Sequence, residues 1–98
     1  MTLHHIRQLG PLLRQFYSAV LPGGRLCIAD LDPEEGRFHG DNRGVFHSGF
    51  DRAALRQDLT KAGFTAIRDR TAATVMKPDA AGVKQPFTVM LMTGRRKP

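Results

Sequence analysis

Hydrophobic residues recur along the chain with two different periods, and the change of period separates helices from strands. The segment "GPLLRQFYSAVL" has helical spacing, which predicts an amphipathic helix with Pro11 at its first position. Its apolar positions are Leu12, Leu13, Phe16, Tyr17 and Val20. The following "PGG" is expected to end this helix and turn the chain. The segment "RLCIADL" is apolar at odd and even positions alike, which predicts a strand buried on both faces, with Cys27 inside.

The segment "FDRAALRQDLTKAGF" predicts a second helix with defined ends. Asp51 is placed to cap its N-terminus, and Phe50 and Leu55 occupy the positions of a hydrophobic staple. Gly63 is placed to end the helix in the left-handed conformation. The expected buried stripe consists of Ala54, Leu55, Leu59 and Ala62.

Two further strands are predicted after this helix, joined by a turn or loop in "KPDAAGVKQ". In "FTAIRDRTAATVM" the charged residues 68–70 are typical of an edge strand, whereas "PFTVMLMTG" is apolar on both faces and should be central. The first two strands are joined through a helix and should be parallel, and the last two should be antiparallel. The sequence therefore predicts an α/β fold, helix-strand-helix-strand-strand, with a three-stranded mixed sheet in the order first, third, second.

Composition limits the class of protein. A chain of 98 residues has the length of one domain, residues 1–98, and no apolar run is long enough to span a membrane. The N-terminus does not resemble a secretory signal, and the single Cys27 excludes an internal disulfide, so we expect a cytoplasmic protein. The formal charge is +6, but the arginines are scattered and only "GRRKP" forms a cluster. This pattern favours a solvated basic surface over a nucleic-acid site.

The order of motifs resembles one known family. "LHHI", an amphipathic helix, "LPGGRLCIADLD", "GFDRAALRQDLTKAGF" and two strands resemble the C-terminal half of class I S-adenosylmethionine-dependent methyltransferases. The similarity is to the small-molecule branch (methyltransferase type 11/12), which includes quinone-biosynthesis enzymes, and it covers nearly the whole chain. In that family a reversed last strand lies between its two neighbours. The resemblance thus implies a partial Rossmann-like methyltransferase fold.

The same resemblance implies that a large part of the enzyme lies outside these residues. The family binds S-adenosylmethionine mainly through a glycine-rich loop and an acidic residue of its other half, and neither motif is present here. We therefore expect a substrate-side portion of a methyltransferase that acts on a small molecule and is inactive as an isolated chain. Its expected cofactor, by resemblance, is S-adenosylmethionine.

The candidate site residues follow the ends of the predicted strands, where ligands bind in doubly wound folds. By resemblance, Leu3 and His4 border the cofactor and His5 borders the substrate. Asp30 is a candidate substrate contact, although Asp30 and Asp32 also suit a turn before Pro33. The long loop "DPEEGRFHGDNRGVFHSG" brings two further substrate candidates, His39 and His47, beside aromatic residues. The alternatives are a helix-entry role for one of the paired histidines and a loop partly buried on its own aromatics.

Other functions compete with methyl transfer. The four histidines and one cysteine match no ordinary zinc spacing, and a buried Cys27 would be a poor nucleophile. A non-catalytic half-domain would expose a sheet edge and pair with itself, as a homodimer, or with a missing N-terminal half. Nucleic-acid binding ranks last, because one Tyr and no Trp leave few positions for base stacking.

Overall fold

A computed structural model describes residues 8–33, 49–78 and 81–98. The elements are helix α1 (Leu9–Ala19), strand β1 (Arg25–Leu31), helix α2 (Arg52–Ala62), strand β2 (Thr65–Pro78) and strand β3 (Lys84–Arg95). The predicted order helix-strand-helix-strand-strand is confirmed. The two last strands are longer than expected, because the ends of the predicted connecting segment continue the hairpin, with Pro78 paired to Lys84.

The sheet has the predicted order β1-β3-β2. β3 pairs antiparallel with both neighbours, so β1 and β2 run in the same direction without pairing to each other. The sheet is mixed only in this sense, since each described pairing is antiparallel. β2 lies at an edge and β3 is central, as the charge and hydrophobicity of their sequences indicated.

Both helices pack on one face of the sheet, which we call the helix-facing side. Alternate residues of β1 and β3 contribute to the core there, among them Ile28, Met90 and Met92. The buried helical residues of this core are Leu9, Leu13, Leu55 and Leu59, joined by Phe50 and Phe64. A smaller buried cluster, Leu31, Phe87 and Val89, lies on the opposite side, which we call the open face. β3 is thus buried on both faces over much of its length.

The prediction that β1 is buried on both faces was wrong over residues 25–29, where the side chains on one face are exposed. Ile28 is buried, but Cys27 and Ala29 are exposed, because the described helices cover only the helix-facing side. Small apolar residues such as Cys and Ala fit either environment, so their presence did not establish burial. Because Cys27 is exposed, burial is no reason to expect a poor nucleophile at this position.

The ends of α2 are as the sequence predicted. The Asp51 carboxylate accepts a hydrogen bond from the Ala54 backbone N–H at 2.9 Å, and Gly63 is left-handed with φ of 113°. Phe50 and Leu55, the staple positions, are buried in the same core. One residue of the predicted stripe, Ala54, is exposed.

The C-terminal end of α1 is held by the last residues of the chain. α1 begins two residues before Pro11, which still lies in the first turn, where a backbone N–H has no helical partner. At the other end, the Arg96 Nη1 donates to the carbonyls of Tyr17 at 2.9 Å and Val20 at 2.8 Å. Its guanidinium also lies 4.8 Å from the centre of the Tyr17 ring. Part of the expected basic tail is therefore a helix cap.

A β-bulge near the start of β2 decides which side chains face the helices. Thr65 is opposite Arg95 and Arg68 is opposite Thr93, so two residues of β2 oppose only Gly94. Ala66 in the bulge has a φ of 51°, in the left-handed region. Without the extra residue, Arg68 would be opposite Met92 on the helix-facing side. The bulge instead sends Arg68 to the open face and Asp69 toward the helices.

Candidate functional site

Polar side chains from four segments meet where β1 ends and α2 begins. We call this group the Arg52 network: Asp32, Arg52, Asp69, Thr71 and Thr88. Arg52, the first residue of α2, donates from Nε and Nη2 to the two carboxylate oxygens of Asp32, each at 2.8 Å. Asp32 also accepts from the Thr88 hydroxyl at 2.6 Å. The bidentate geometry fixes the end of β1 against the start of α2.

The same guanidinium reaches across to β2. Arg52 Nη2 donates to the Thr71 hydroxyl at 2.8 Å, and Nη1 lies 3.3 Å from the Asp69 carboxylate. One helical turn later, Arg56 pairs with the other oxygen of Asp69 and donates to the Ile67 carbonyl at 2.6 Å. Two guanidiniums and two carboxylates thus alternate along the surface, and each carboxylate contacts at least one arginine.

The ion pairs shift the protonation equilibria of the network. The hydrogen bond from Arg52 lowers the pKa of Asp32, with a further contribution from Thr88. The hydrogen bond from Arg56 lowers the pKa of Asp69, and Arg52 adds to the effect. The pKa of Arg52 is raised by its hydrogen bond with Asp32. All three groups therefore stay charged at neutral pH.

The Arg52 network stabilises the fold and leaves little capacity for a ligand. A guanidinium has about five N–H groups. Arg52 already donates four hydrogen bonds from its guanidinium within the protein. Asp32 binds this arginine with both carboxylate oxygens, so its role extends beyond the predicted turn before Pro33. The network joins β1, α2, β2 and β3 at the edge of the sheet where the candidate site was expected.

Asp30, the described member of the predicted site residues, lies at the C-terminal end of β1. It is opposite Met90 on the helix-facing side, and its exposed fraction is 0%. One carboxylate oxygen accepts from the Leu31 backbone N–H at 2.8 Å. A buried carboxyl group at this position requires hydrogen-bond partners, so Asp30 contributes to local structure whatever else it does.

The other predicted site residues lie outside the described part of the chain. These are Leu3, His4, His5, His39 and His47. Their roles remain predictions. Within residues 8–33, 49–78 and 81–98 there is no group of His, Cys, Asp and Glu side chains that could hold a metal ion. No helix in those ranges has both the length and the apolar character needed to cross a bilayer.

Arg52 was not among the predicted site residues, although its position in the sequence indicates a partner. A basic residue in the first turn of a helix faces the positive end of the helix dipole, which is unfavourable without a counter-charge. Arg52 follows the cap residue Asp51 directly and lies 20 positions from Asp32. Its charge therefore pointed to an acidic partner from elsewhere in the fold, and the adjacent strand end supplies one.

Comparison with solved structures places this architecture beside a known one. The chain is similar to phosphoethanolamine N-methyltransferase 2 of Haemonchus contortus, solved with S-adenosyl-L-methionine, with a TM-score of 0.68 and 12% identity. The fold is methyltransferase-like. The match covers 98% of this chain and 31% of the other. A possible exported protein from Bordetella parapertussis is also similar, with a TM-score of 0.60, 18% identity and coverage of 96% and 36%.

These similarities concern the fold. The chain spans about a third of the length of the structures it matches, 31% and 36%. A scan against protein-family models finds no match, and a search of curated proteins finds none. The methyltransferase-like topology, with a reversed strand between two parallel ones, agrees with the resemblance that the sequence motifs indicated.

Proposed function

We propose that this chain is the substrate-side portion of an S-adenosylmethionine-dependent methyltransferase that acts on a small molecule in the cytoplasm. One observation carries the proposal: almost the whole chain superposes on a methyltransferase solved with that cofactor. The inserted antiparallel strand β3 and the two helices on one side of the sheet support it. The substrate class and the subtype rest on the sequence motifs.

In this proposal the site lies at the C-terminal end of β1. Leu3 and His4 would border the cofactor, and His5, Asp30, His39 and His47 would border the substrate. Methyl transfer depends mainly on alignment of the nucleophile and exclusion of water, and a histidine would remove the substrate proton. Because Asp30 is fully buried, its contact with a substrate requires displacement of the groups that cover it.

The isolated chain is expected to bind the cofactor weakly and to have no turnover, because the glycine-rich loop of the family is not among these residues. The test is an amide NMR titration of labelled protein with S-adenosylmethionine and with S-adenosylhomocysteine. We expect saturable shifts confined to residues 3–6 and 30–35. Adenosine at equal concentration is the matched ligand control, and a His4→Ala/His5→Ala variant should lose the response.

A well-folded sample without shifts at millimolar ligand would contradict cofactor binding by this chain. The second candidate is then a non-catalytic half-domain that pairs with itself or with another chain through an exposed edge of its sheet. The order β1-β3-β2 favours it, because the described strands leave β1 at one end of the sheet. This candidate predicts a concentration-dependent dimer in sedimentation velocity.

Charged substitutions at the two edges identify the associating strand. Lysine on an edge strand opposes pairing with another chain. Cys27→Lys on β1 should shift the dimer toward monomer, whereas Thr74→Lys on the β2 edge should not. Both side chains are exposed, so the two substitutions are comparable in cost to the fold. A monomer at every concentration would exclude self-association through β1.

A further inference from the structure

Three arginines from three strands meet on the open face of the sheet. Arg25 on β1 lies directly opposite Arg95 on β3, and Arg68 on β2 is opposite Thr93, two positions before Arg95 along β3. We call Arg25, Arg68 and Arg95 the open-face arginines. All three are exposed. Like charges placed directly opposite in a ladder, here Arg25 and Arg95, destabilise the sheet, and a bound anion would offset this cost.

The protein itself supplies no such anion within its described residues. The ion pairs there involve Arg52 and Arg56, and none of the three guanidiniums forms a hydrogen bond or ion pair in those ranges. The described acidic side chains lie elsewhere. Asp30, Asp32 and Asp69 are on the helix-facing side, and Asp51 and Asp58 belong to the α2 segment.

The open-face arginines border a depression of about 280 Å³. Its lining also includes Cys27 and Thr93, which are opposite each other in the β1–β3 ladder. The threonine hydroxyl adds a neutral hydrogen-bond donor beside three cationic ones. The volume is near the lower end of ligand pockets, roughly 300 Å³, and suits a small molecule.

We propose that the open-face arginines bind a small ligand that carries a phosphate or pyrophosphate group. Guanidinium groups donate in pairs to phosphate oxygens, and three of them around one depression match a group with several anionic oxygens. Single-stranded nucleic acid would need exposed aromatic rings for stacking. The described aromatic residue on this face, Phe87, is buried. The proposal is independent of methyl transfer, since the site lies on the other side of the sheet from Asp30.

The bulge in β2 completes the site. It turns Arg68 from the helix-facing side to the open face, beside Thr93, and it keeps Ala66 in a left-handed conformation. Bulges often re-aim a side chain next to a binding site. Arg68 therefore lies on the open face only because of the bulge, since a regular ladder would place it on the helix-facing side.

The first experiment is an amide NMR titration of the labelled chain with inorganic pyrophosphate at constant ionic strength. We expect saturable shifts confined to residues 25–27, 66–68 and 93–95. The variant Arg25→Gln/Arg95→Gln should bind at least about tenfold more weakly, because each charge-assisted hydrogen bond contributes strongly to affinity. The matched control is Arg14→Gln/Lys61→Gln, which removes the same charge from the exposed surfaces of α1 and α2 and should leave the affinity unchanged.

Cys27 gives a second measurement that needs no variant. It is the only cysteine of the chain, it is exposed, and it lines the depression. Pyrophosphate should slow its alkylation by iodoacetamide at least about fivefold when the site is mostly occupied, whereas sodium chloride of equal ionic strength should not. Equal affinities of the two double variants, shifts spread over the surface, or unchanged alkylation would overturn the proposal. So would a single-stranded oligonucleotide that binds the same residues more tightly with a steep salt dependence.

Discussion

Arg52 and Asp32 lie 20 positions apart and form a bidentate ion pair, with Nε–Oδ1 and Nη2–Oδ2 distances of 2.8 Å. Their side chains are 27% and 21% exposed, so solvent screens the pair only in part. The pair connects the end of β1 with the first residue of α2. The ion pair therefore fixes the separation between the end of β1 and the start of α2.

Removal of the Asp32 charge should destabilise the protein. Asp32→Asn leaves Arg52 with a weaker acceptor, and we expect a loss of about 1–2 kcal/mol in the free energy of unfolding. Urea denaturation measures it. The matched control is Asp58→Asn on α2, whose carboxylate has no hydrogen bond or ion pair in the described structure and should change stability by less than about 0.5 kcal/mol. Equal losses in the two variants would contradict a role for the ion pair.

The same pair predicts a loss of stability in acid. The pKa of Asp32 is lower in the folded state than in the unfolded chain, because Arg52 stabilises the carboxylate. The unfolded state therefore binds more protons, and stability falls as the pH drops below the unfolded value of about 3.9. Thermal unfolding between pH 6 and pH 2 should show a steeper decline for the natural sequence than for Asp32→Asn. Parallel curves would show that Asp32 does not titrate with folding.

Arg96 should stabilise α1 from outside the helix. Arg96→Ala removes hydrogen bonds to the Tyr17 and Val20 carbonyls and should cost about 1–3 kcal/mol. Arg96→Lys keeps the charge but not the planar fork, so an intermediate loss is expected. Lys97→Ala is the control and should be nearly neutral. Thermal unfolding followed by circular dichroism distinguishes these outcomes, and an Arg96→Ala variant as stable as Lys97→Ala would refute the capping role.

Gly63 should tolerate no side chain. Its φ of 113° is strained for other residues, and a Cβ atom there would lie 2.9 Å from Tyr17 Cε2. Gly63→Ala should therefore destabilise the protein by about 2–4 kcal/mol. Gly82 also has positive φ, at 81°, but a methyl group added there would have nothing within 4 Å, so Gly82→Ala isolates the backbone contribution of about 1 kcal/mol. Similar losses in both variants would show that the Tyr17 ring moves aside.

Ala66 should respond to glycine in the opposite direction from its neighbours. The left-handed conformation costs an alanine about 1–2 kcal/mol, whereas glycine adds about 0.5–1 kcal/mol of unfolded-state entropy. Ala66→Gly should thus be neutral to stabilising. Ala73→Gly, in the same strand without positive φ, should destabilise by about 0.5–1 kcal/mol. A comparable loss at both positions would show that Ala66 is not strained.

Sequence patterns predicted the features that depend on local chemistry. Asp51 caps α2 with its carboxylate, and Gly63 ends the helix because it has no side chain to oppose the left-handed conformation. Both effects act within one helical turn, so the local sequence was enough to predict them. The central place of β3 followed from hydrophobicity on both of its faces. Cys27 was placed wrongly because burial of a small residue depends on what covers that face, and a strand sequence does not contain this information.

The candidate site was less predictable for a related reason. The sequence indicated only that Asp32 suits a turn, because its partner Arg52 is distant along the chain. The open-face arginines are separated by 43 and 27 residues along the chain, as their positions 25, 68 and 95 show. Only the pairing of three strands brings them together. The bulge could not be predicted, because alanine at position 66 does not indicate a left-handed conformation as glycine would.

The bulge also determines whether this part of the chain tolerates an insertion or a deletion. Side chains alternate between the two faces of a strand. Deletion of residue 66 would therefore move each following side chain of β2 to the opposite face of the sheet, as far as the second register shift between Thr71 and Ala73. Arg68 would enter the apolar core and Asp69 would lose both arginines. Substitutions at this point are inexpensive by comparison. Related sequences should therefore differ here in residue type, and an alignment that opens a gap between Thr65 and Arg68 would pair residues from opposite faces.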